Sequence, residues 1–238
     1  MPGETIVVLP TYNERENITA VVEGVLARGG GLEALVVDDE SPDGTAEEVR
    51  KKFGGDPRVH LMVRHGPRGR GYAGVAGFRW GVERGYKYLV EMDADGSHNP
   101  EYLPDIVAAL ESADVVICSR LTAGGGERGR GTARRWITVA ANMYLRNVLG
   151  LKVRDCTSGY RGFRREVMEI VPWESVSAAG PSIVQEVLYV AAVNKFRIVE
   201  IPFVFEERAA GRSKFNAKIL AAGLIDAVRI RKKHGSRS

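Results

Sequence analysis

Cysteine is scarce. Only Cys118 and Cys156 occur in 238 residues, too few for a disulfide framework and without the spacing of a metal-binding signature. Long apolar runs are also missing, and no stretch approaches the roughly 18 residues that a membrane-spanning helix needs. The opening Met1-Pro2-Gly3-Glu4 lacks the basic start of a secretory signal, so a reduced cytoplasmic protein is expected. There is no internal repeat and no low-complexity linker. With 44% hydrophobic and 27% charged residues, the chain suits a single α/β domain, or one with an appendage.

Net charge is only +4, but it is unevenly spread. Residues 120–165 carry eleven Lys/Arg against Glu127 and Asp155, and residues 208–238 carry nine against Asp226, leaving −13 elsewhere. Two separate basic blocks point to an anionic partner: nucleic acid, a phosphorylated substrate or a membrane surface.

Apolar strands and amphipathic helices alternate through the first half. Residues 4–9 read as a strand, and Asn13 with Glu16 has capping-box spacing before a helix with Ile18, Val21, Val22, Val25 and Leu26 on one face. Residues 35–37 form a second strand ending in Asp38-Asp39. The turn Ser41-Pro42-Asp43-Gly44 follows, with Thr45 and Glu48 as the next cap. A strand at 59–63, a helix around 73–84, the strand at 88–92, a helix from Pro100 and a strand at 115–118 continue the series. This alternation predicts a mostly parallel, doubly wound sheet flanked by helices.

The pattern loosens after residue 119. A Gly/Arg loop spans 122–132, and a helix at 133–149 has an apolar face of Trp136, Ile137, Ala140, Tyr144 and Val148. A helix near 182–193 and a strand at 198–205 follow. The chain closes with a basic segment at 208–214 and an amphipathic helix carrying Phe215, Ile219, Leu220, Leu224, Ile225 and Val228, ending in Arg229, Arg231, Lys232 and Lys233.

The strand at 88–92 ends in Met92-Asp93-Ala94-Asp95-Gly96-Ser97-His98. Alternate strand residues share a face, so Asp93 and Asp95 are expected to project together from the carboxyl end, where open α/β sheets bind ligands. Two carboxylates facing one way suit a hard divalent cation, Mg²⁺ or Mn²⁺, shared with a substrate diphosphate. The competing reading is a helix cap or a solvated turn. Asp38-Asp39, taken as ending a neighbouring strand, makes the constellation stronger.

Gly69-Arg70-Gly71-Tyr72-Ala73-Gly74 also satisfies G-x-G-x-x-G, with Glu91 about 20 residues on, as in dinucleotide-binding loops. The fingerprint belongs to the first strand-helix turn, however, and here that turn is the glycine-free Pro10-Thr11-Tyr12-Asn13-Glu14. A tight loop beside the nucleotide is the preferred reading.

Pro10-Thr11-Tyr12-Asn13-Glu14, Val37-Asp38-Asp39 with Ser41-Pro42-Asp43-Gly44-Thr45, and the 92–98 segment together resemble family-2 glycosyltransferases, and within them dolichol-phosphate (polyprenyl-phosphate) mannose synthases. Ser119-Arg120, Thr157-Ser158-Gly159-Tyr160-Arg161, Arg208 and Ser213-Lys214 extend the resemblance over nearly the whole chain. It implies a GT-A-type nucleotide-sugar-binding fold at 1–215, with a nucleotide half (1–119) and an acceptor half (120–215), followed by a basic helix and tail at 216–238. It also implies GDP-mannose as donor, Mg²⁺ or Mn²⁺, a polyprenyl (dolichyl) phosphate as acceptor, and inversion at the sugar carbon.

By the same resemblance Pro10, Tyr12, Glu14, Val37 and Asp39 hold guanosine. Asp93, Ala94 and Asp95 meet ribose and diphosphate. Asp95 is the principal metal ligand, and Ser97 is the second metal residue, ligating directly or through water. Arg120, Arg208 and Lys214 neutralise phosphates. From spacing alone, Arg134 and Thr138 lie one helical turn apart on one face and could grip the acceptor phosphate with Arg120; an ordinary helix N-terminal turn is the competing reading. Asp93, Asp95 and Arg120 are the expected catalytic residues, His98 is structural, and Asp155 is the fallback base for an alcohol acceptor. A peripheral position on the cytoplasmic face of a membrane is implied, with room for a membrane-anchor subunit and no role for nucleic acid. UDP-glucose as donor, an NAD-dependent oxidoreductase and a non-catalytic nucleotide or nucleic-acid binder are the rival readings.

Overall fold

The computed structural model describes residues 3–129, 131–176, 180, 182–206 and 217–235, the side chains of 217–222 excepted. Strands β1 (Thr5–Thr11), β2 (Leu32–Asp38), β3 (Val59–Val63), β4 (Tyr88–Glu91) and β5 (Val115–Ser119) alternate with α1 (Arg15–Leu26), α2 (Thr45–Phe53), α3 (Arg70–Glu83) and α4 (Leu103–Leu110). A 3₁₀ turn, Pro100–Tyr102, leads into α4, with the Asn99 side chain accepting from the Glu101 N–H. Then come β6 (Gly126–Arg128), α5 (Thr132–Leu149), β7 (Arg161–Arg164), α6 (Arg165–Glu169), α7 (Ile183–Val193), β8 (Ile198–Pro202), β9 (Val204–Glu206) and α8 (Ala217–His234).

Seven strands form one sheet in the order β3-β2-β1-β4-β7-β5-β8, all parallel except β7, which runs against β4 and β5. The expected doubly wound, mostly parallel sheet is therefore present. Alternation along each strand sorts its side chains into two cores. Ile6, Val8, Leu35 and Val37 pack on the side of α3, α5 and α7, whereas Val7, Leu9, Ala34 and Val36 pack on the side of α1, α2 and α4.

Local signals misplaced several boundaries. Asn13 does not cap α1: it takes φ 62°, and Glu14 occupies the cap position without a side-chain cap bond. The N–H groups entering the helix are met from the 41–45 turn. Asn13 donates to Ser41 Oγ, Glu14 to Thr45 Oγ1 and Arg15 to Asp43 Oδ2. Thr45 lies inside α2, and Asp43 Oδ1 accepts its N–H and hydroxyl. Those donors must be satisfied by some oxygen, and a neighbouring turn offers it as well as a local side chain does. The strand expected at 198–205 breaks at Phe203, whose N–H donates to Ser119, and β9 leaves the main sheet to pair with β6. Part of the Gly/Arg loop is thus a strand. The Trp136 face of α5 points outward, and its buried stripe is Asn142, Leu145 and Leu149.

Close approach of α3 to β1 depends on glycine. A Cβ on Gly77 would lie 2.3 Å from Val8 Cγ1, and one on Gly81 would lie 2.8 Å from Leu89 Cδ2. We predict that Gly77→Ala lowers stability by about 1–3 kcal/mol, because overpacking exceeds the gain in helix propensity. Urea unfolding measures this, and an unchanged or raised midpoint would show that α3 can shift away.

Candidate active site

β1, β2 and β4 bring their carboxyl ends to one edge, with β1 in the middle. The acidic pairs therefore do not end neighbouring strands, as the sequence suggested, but lie two strand spacings apart, roughly 10 Å. Asp38 is structural: it accepts from Thr11 Oγ1 and from the Ser41 N–H and Oγ. Asp39 takes Arg64 Nε at 2.8 Å on one oxygen and the Gly69 N–H at 2.8 Å on the other. Gly69, at φ 151°, is in a region that favours glycine. The glycine loop thus holds Asp39. At its other end, Gly74 leaves room for Glu91, whose Oε1 would sit 3.2 Å from a Cβ at that position. Within the same loop Arg68 stacks over the Tyr12 ring at 5.1 Å and donates to its hydroxyl.

β4 ends at Glu91, so Asp93 and Asp95 are set by the following turn and not by the pleat. Asp95 is buried, and its Oδ1 accepts from Ser97 Oγ at 2.5 Å and from the Ser97 N–H at 3.0 Å. Asp93 is partly open. Its N–H donates to His98 Nδ1, which fixes that ring's tautomer, and burial lowers the His98 pKa. The ring stacks on Tyr160 at 4.9 Å, as a structural histidine would. Arg70, the first residue of α3, places Nε and Nη2 2.9 Å from Asp93 Oδ1 and Nη2 3.5 Å from Glu91 Oε1. Burial raises the Glu91 pKa and opposes the Arg70 charge, but Asp93 and Glu91 outweigh it and hold the guanidinium's pKa above its ordinary value.

A second cluster closes the other side. Arg120 grips Asp155 through Nε at 2.7 Å and Nη2 at 2.8 Å, reaches Thr157 Oγ1 at 2.6 Å and lies 3.4 Å from Glu127. Burial alone would raise the Asp155 pKa; Arg120 reverses this and brings it to about 2. A carboxylate held so low has little affinity for a proton, so Asp155 is unsuited to the role of fallback base and acts as the counter-ion of Arg120. Asn142 of α5 joins the cluster, donating to Thr157 Oγ1 and accepting the Cys156 N–H. One turn before it, Thr138 donates to the Arg134 carbonyl, so Arg134, Thr138 and Asn142 follow one face of α5 toward Arg120.

An open sheet with carboxylates at its strand ends and arginines around them suits an anionic, cation-bound ligand. Residues 6–171 match glycosyl transferase family 2. The chain belongs to this family. It is a glycosyltransferase, similar over most of its length to two curated proteins. It is 39% identical to undecaprenyl-phosphate mannosyltransferase of Micrococcus luteus, over 94% of this chain and 92% of that protein. It is 44% identical to polyprenol monophosphomannose synthase of Mycolicibacterium smegmatis, over 89% of this chain and 81% of that one. The GT-A-like fold is shared with glucosyl-3-phosphoglycerate synthase from Mycobacterium tuberculosis, solved with Mn²⁺, UDP and glucosyl-3-phosphoglycerate. That match has a TM-score of 0.69 at 21% identity and covers 98% of this chain and 80% of that one.

In this family-2 glycosyltransferase, Pro10, Tyr12, Asp39, Asp93, Ala94 and Asp95 lie at the same sheet edge, and Glu14 begins the helix beside them. Val37 is fully buried in the core, and its carbonyl accepts from Thr11 Oγ1. Arg208 and Lys214 lie outside the described residues. Sequence reasoning passed over Arg64, Arg68 and Arg70; their 4-2 spacing within the glycine-rich loop was the available signal. It named Arg161 only within the 157–161 motif and gave it no role; fully buried on β7, Arg161 donates to the carbonyls of Cys156, Ser158 and Val184, and burial lowers its pKa to about 10.

The depressed pKa of Asp155 contributes stability that is present above its unfolded value, about 3.9, and is lost as pH falls through about 2. Asp155→Asn should cost about 3–5 kcal/mol at pH 6, since Arg120 is left buried and half-paired. The gap between variant and wild type should narrow at pH 2.5. Equal gaps in urea unfolding at the two pH values would rule out the ion pair as their source.

Proposed function

We propose that this glycosyltransferase moves mannose from GDP-mannose to a polyprenyl phosphate, with inversion at the sugar carbon and with Mg²⁺ or Mn²⁺ bound. The observation that carries the reading is the Asp93-Ala94-Asp95 turn at the β4 end, with Asp95 held by Ser97. The names of the two curated relatives support mannose and a polyprenyl phosphate. Guanosine is carried over from the resemblance of the 10–14 and 37–39 segments.

The donor set fits a hard cation. Among the described residues no three His, Cys, Asp or Glu side chains are grouped to hold a metal by themselves. Mg²⁺ and Mn²⁺ are suited to one or two carboxylates completed by substrate phosphates, and here Asp95 would be the main protein ligand, with Ser97 orienting it. The ion, when bound, would neutralise charge developing on the leaving diphosphate. Pro10, Tyr12, Glu14 and Asp39 would receive the nucleoside, with Val37 and Ala94 lining it by backbone. Arg208 and Lys214 are assigned to donor phosphates, and Arg120, Arg134 and Thr138 to the acceptor phosphate. A phosphate monoester is largely ionised near neutral pH, so it serves as its own nucleophile, and the protein's task is to align it. Residues 1–119 form the donor half and 120–215 the acceptor half.

The acceptor is a lipid, and the surface beside the acceptor half suits one. Trp136 (73% exposed) and Met143 on α5, with Ile225 and Val228 on α8, present apolar groups next to Arg134, Arg135, Arg229, Arg231 and Lys232. Tyr144 donates to the Leu224 carbonyl and Arg231 to that of Val148, so the two helices are joined. Ala227 and Ile230 are buried, so α8 packs on the core and also keeps an outward apolar face. Among the described residues no helix is long and apolar enough to cross a membrane. We assign this face to an anionic bilayer on its cytoplasmic side, where each basic residue contributes about 1 kcal/mol. A membrane-anchor subunit would be a further partner at the same surface.

Transfer of labelled sugar to a short polyprenyl phosphate tests the reaction, comparing GDP-mannose with UDP-glucose, each with Mg²⁺, Mn²⁺ or EDTA. Metal-dependent lipid label from GDP-mannose is expected, falling at least roughly 100-fold in Asp95→Ala, as for loss of a principal electrostatic group. Label from UDP-glucose alone would move the donor, and undiminished, metal-requiring transfer by the variant would remove Asp95 from the metal. Separately, Trp136→Ser with Ile225→Ser should reduce co-sedimentation with anionic vesicles while the fold persists. Undiminished co-sedimentation would place the membrane contact elsewhere.

A further inference from the structure

Glu91, Asp93 and Asp95 lie within five residues at the end of β4, not grouped closely enough to hold a metal by themselves. Here a protein cation already lies among them. The Arg70 guanidinium contacts Asp93 with two nitrogens and faces Glu91 with one. Its place is built by glycine on two sides. Gly74 leaves room for Glu91, and a Cβ on Gly159 would sit 2.3 Å from Arg70 Nη2. The Gly159 carbonyl accepts from the same nitrogen at 3.4 Å. Its side chain is 30% exposed, so it faces the opening of the site as well as the interior. A cation at the first residue of a helix is disfavoured by the helix dipole, so the carboxylates, and not α3, hold it there.

We propose that Arg70 is a positioning residue and a built-in counter-cation, which partly offsets the charge of Glu91 and Asp93 and so makes divalent-cation binding depend on the nucleotide diphosphate. The inference rests on the metal reading given above. Arg70 offsets one of the three negative charges, so an incoming dication is attracted less strongly than it would be by the carboxylates alone. The diphosphate adds both negative charge and oxygen ligands, and then Asp95 suffices as the protein's contribution.

Mn²⁺ binding followed by electron paramagnetic resonance, on wild type, Arg70→Met and Arg70→Lys, with and without GDP, tests this. In the absence of GDP, Arg70→Met should bind Mn²⁺ on the order of tenfold more tightly than wild type. Arg70→Lys, which keeps the charge, should stay within about threefold of wild type. Equal or weaker Mn²⁺ binding by Arg70→Met would overturn the proposal. If Arg70→Met does not fold alone, recovery of its thermal transition in millimolar Mg²⁺ supports the proposal, whereas failure with and without Mg²⁺ assigns Arg70 to packing and overturns it. The metal reading is judged separately: wild type that takes up no Mn²⁺ even with GDP would sink that reading, whatever the variants do.

Discussion

Carboxylates gathered at the end of a buried parallel strand cannot all stay ionised unless cations lie within a few ångströms of them, and the arrangement around β4 follows from that requirement. Arg70 answers Glu91 and Asp93 on one side, and Arg120 answers Asp155 and Glu127 on the other. Each guanidinium is the junction of segments far apart in sequence. Arg70 joins α3 to the 93 turn and to Gly159; Arg120 joins the end of β5 to the 155–157 turn and, through Thr157 and Asn142, to α5. Each charge-neutralising contact is therefore also a tertiary contact.

Protein contacts also fix the other carboxylates at the strand ends. Asp39 and Asp95 are held by N–H and hydroxyl groups of nearby loops, so their orientation does not wait for a ligand. Arg120 is held by Asp155, Glu127 and Thr157, and Thr157 links it to Asn142 on α5, whose outer surface is apolar and basic.

Much of this was legible from sequence. Apolar runs such as 5–9 and 34–37 announce strands buried on both faces, and the Asp-x-Asp turn followed by Asn99-Pro100 marks a strand end and a helix start. What misled was local chemistry with more than one outlet. Asn13 has the spacing of a cap, yet the Ser41–Thr45 turn meets those N–H groups. The glycines at 69 and 74 have the spacing of a dinucleotide loop, yet one holds Asp39 and the other makes room for Glu91. β7 reads Arg-Gly-Phe-Arg, with nothing to mark it as a central strand, because its arginine is satisfied by three carbonyls from other segments.

By itself the sequence determined the class of fold, the acidic strand end and the basic character of the second half, because periodicity, turn residues and charge are local properties. Only the tertiary structure decided which cation faces which carboxylate. That depends on strand order, with β1 between the two acidic pairs and β7 inserted beside β4, and on glycines whose missing side chains let Arg70 and Glu91 approach. Strand order and close approach arise from contacts between residues tens of positions apart, where spacing along the chain carries no information.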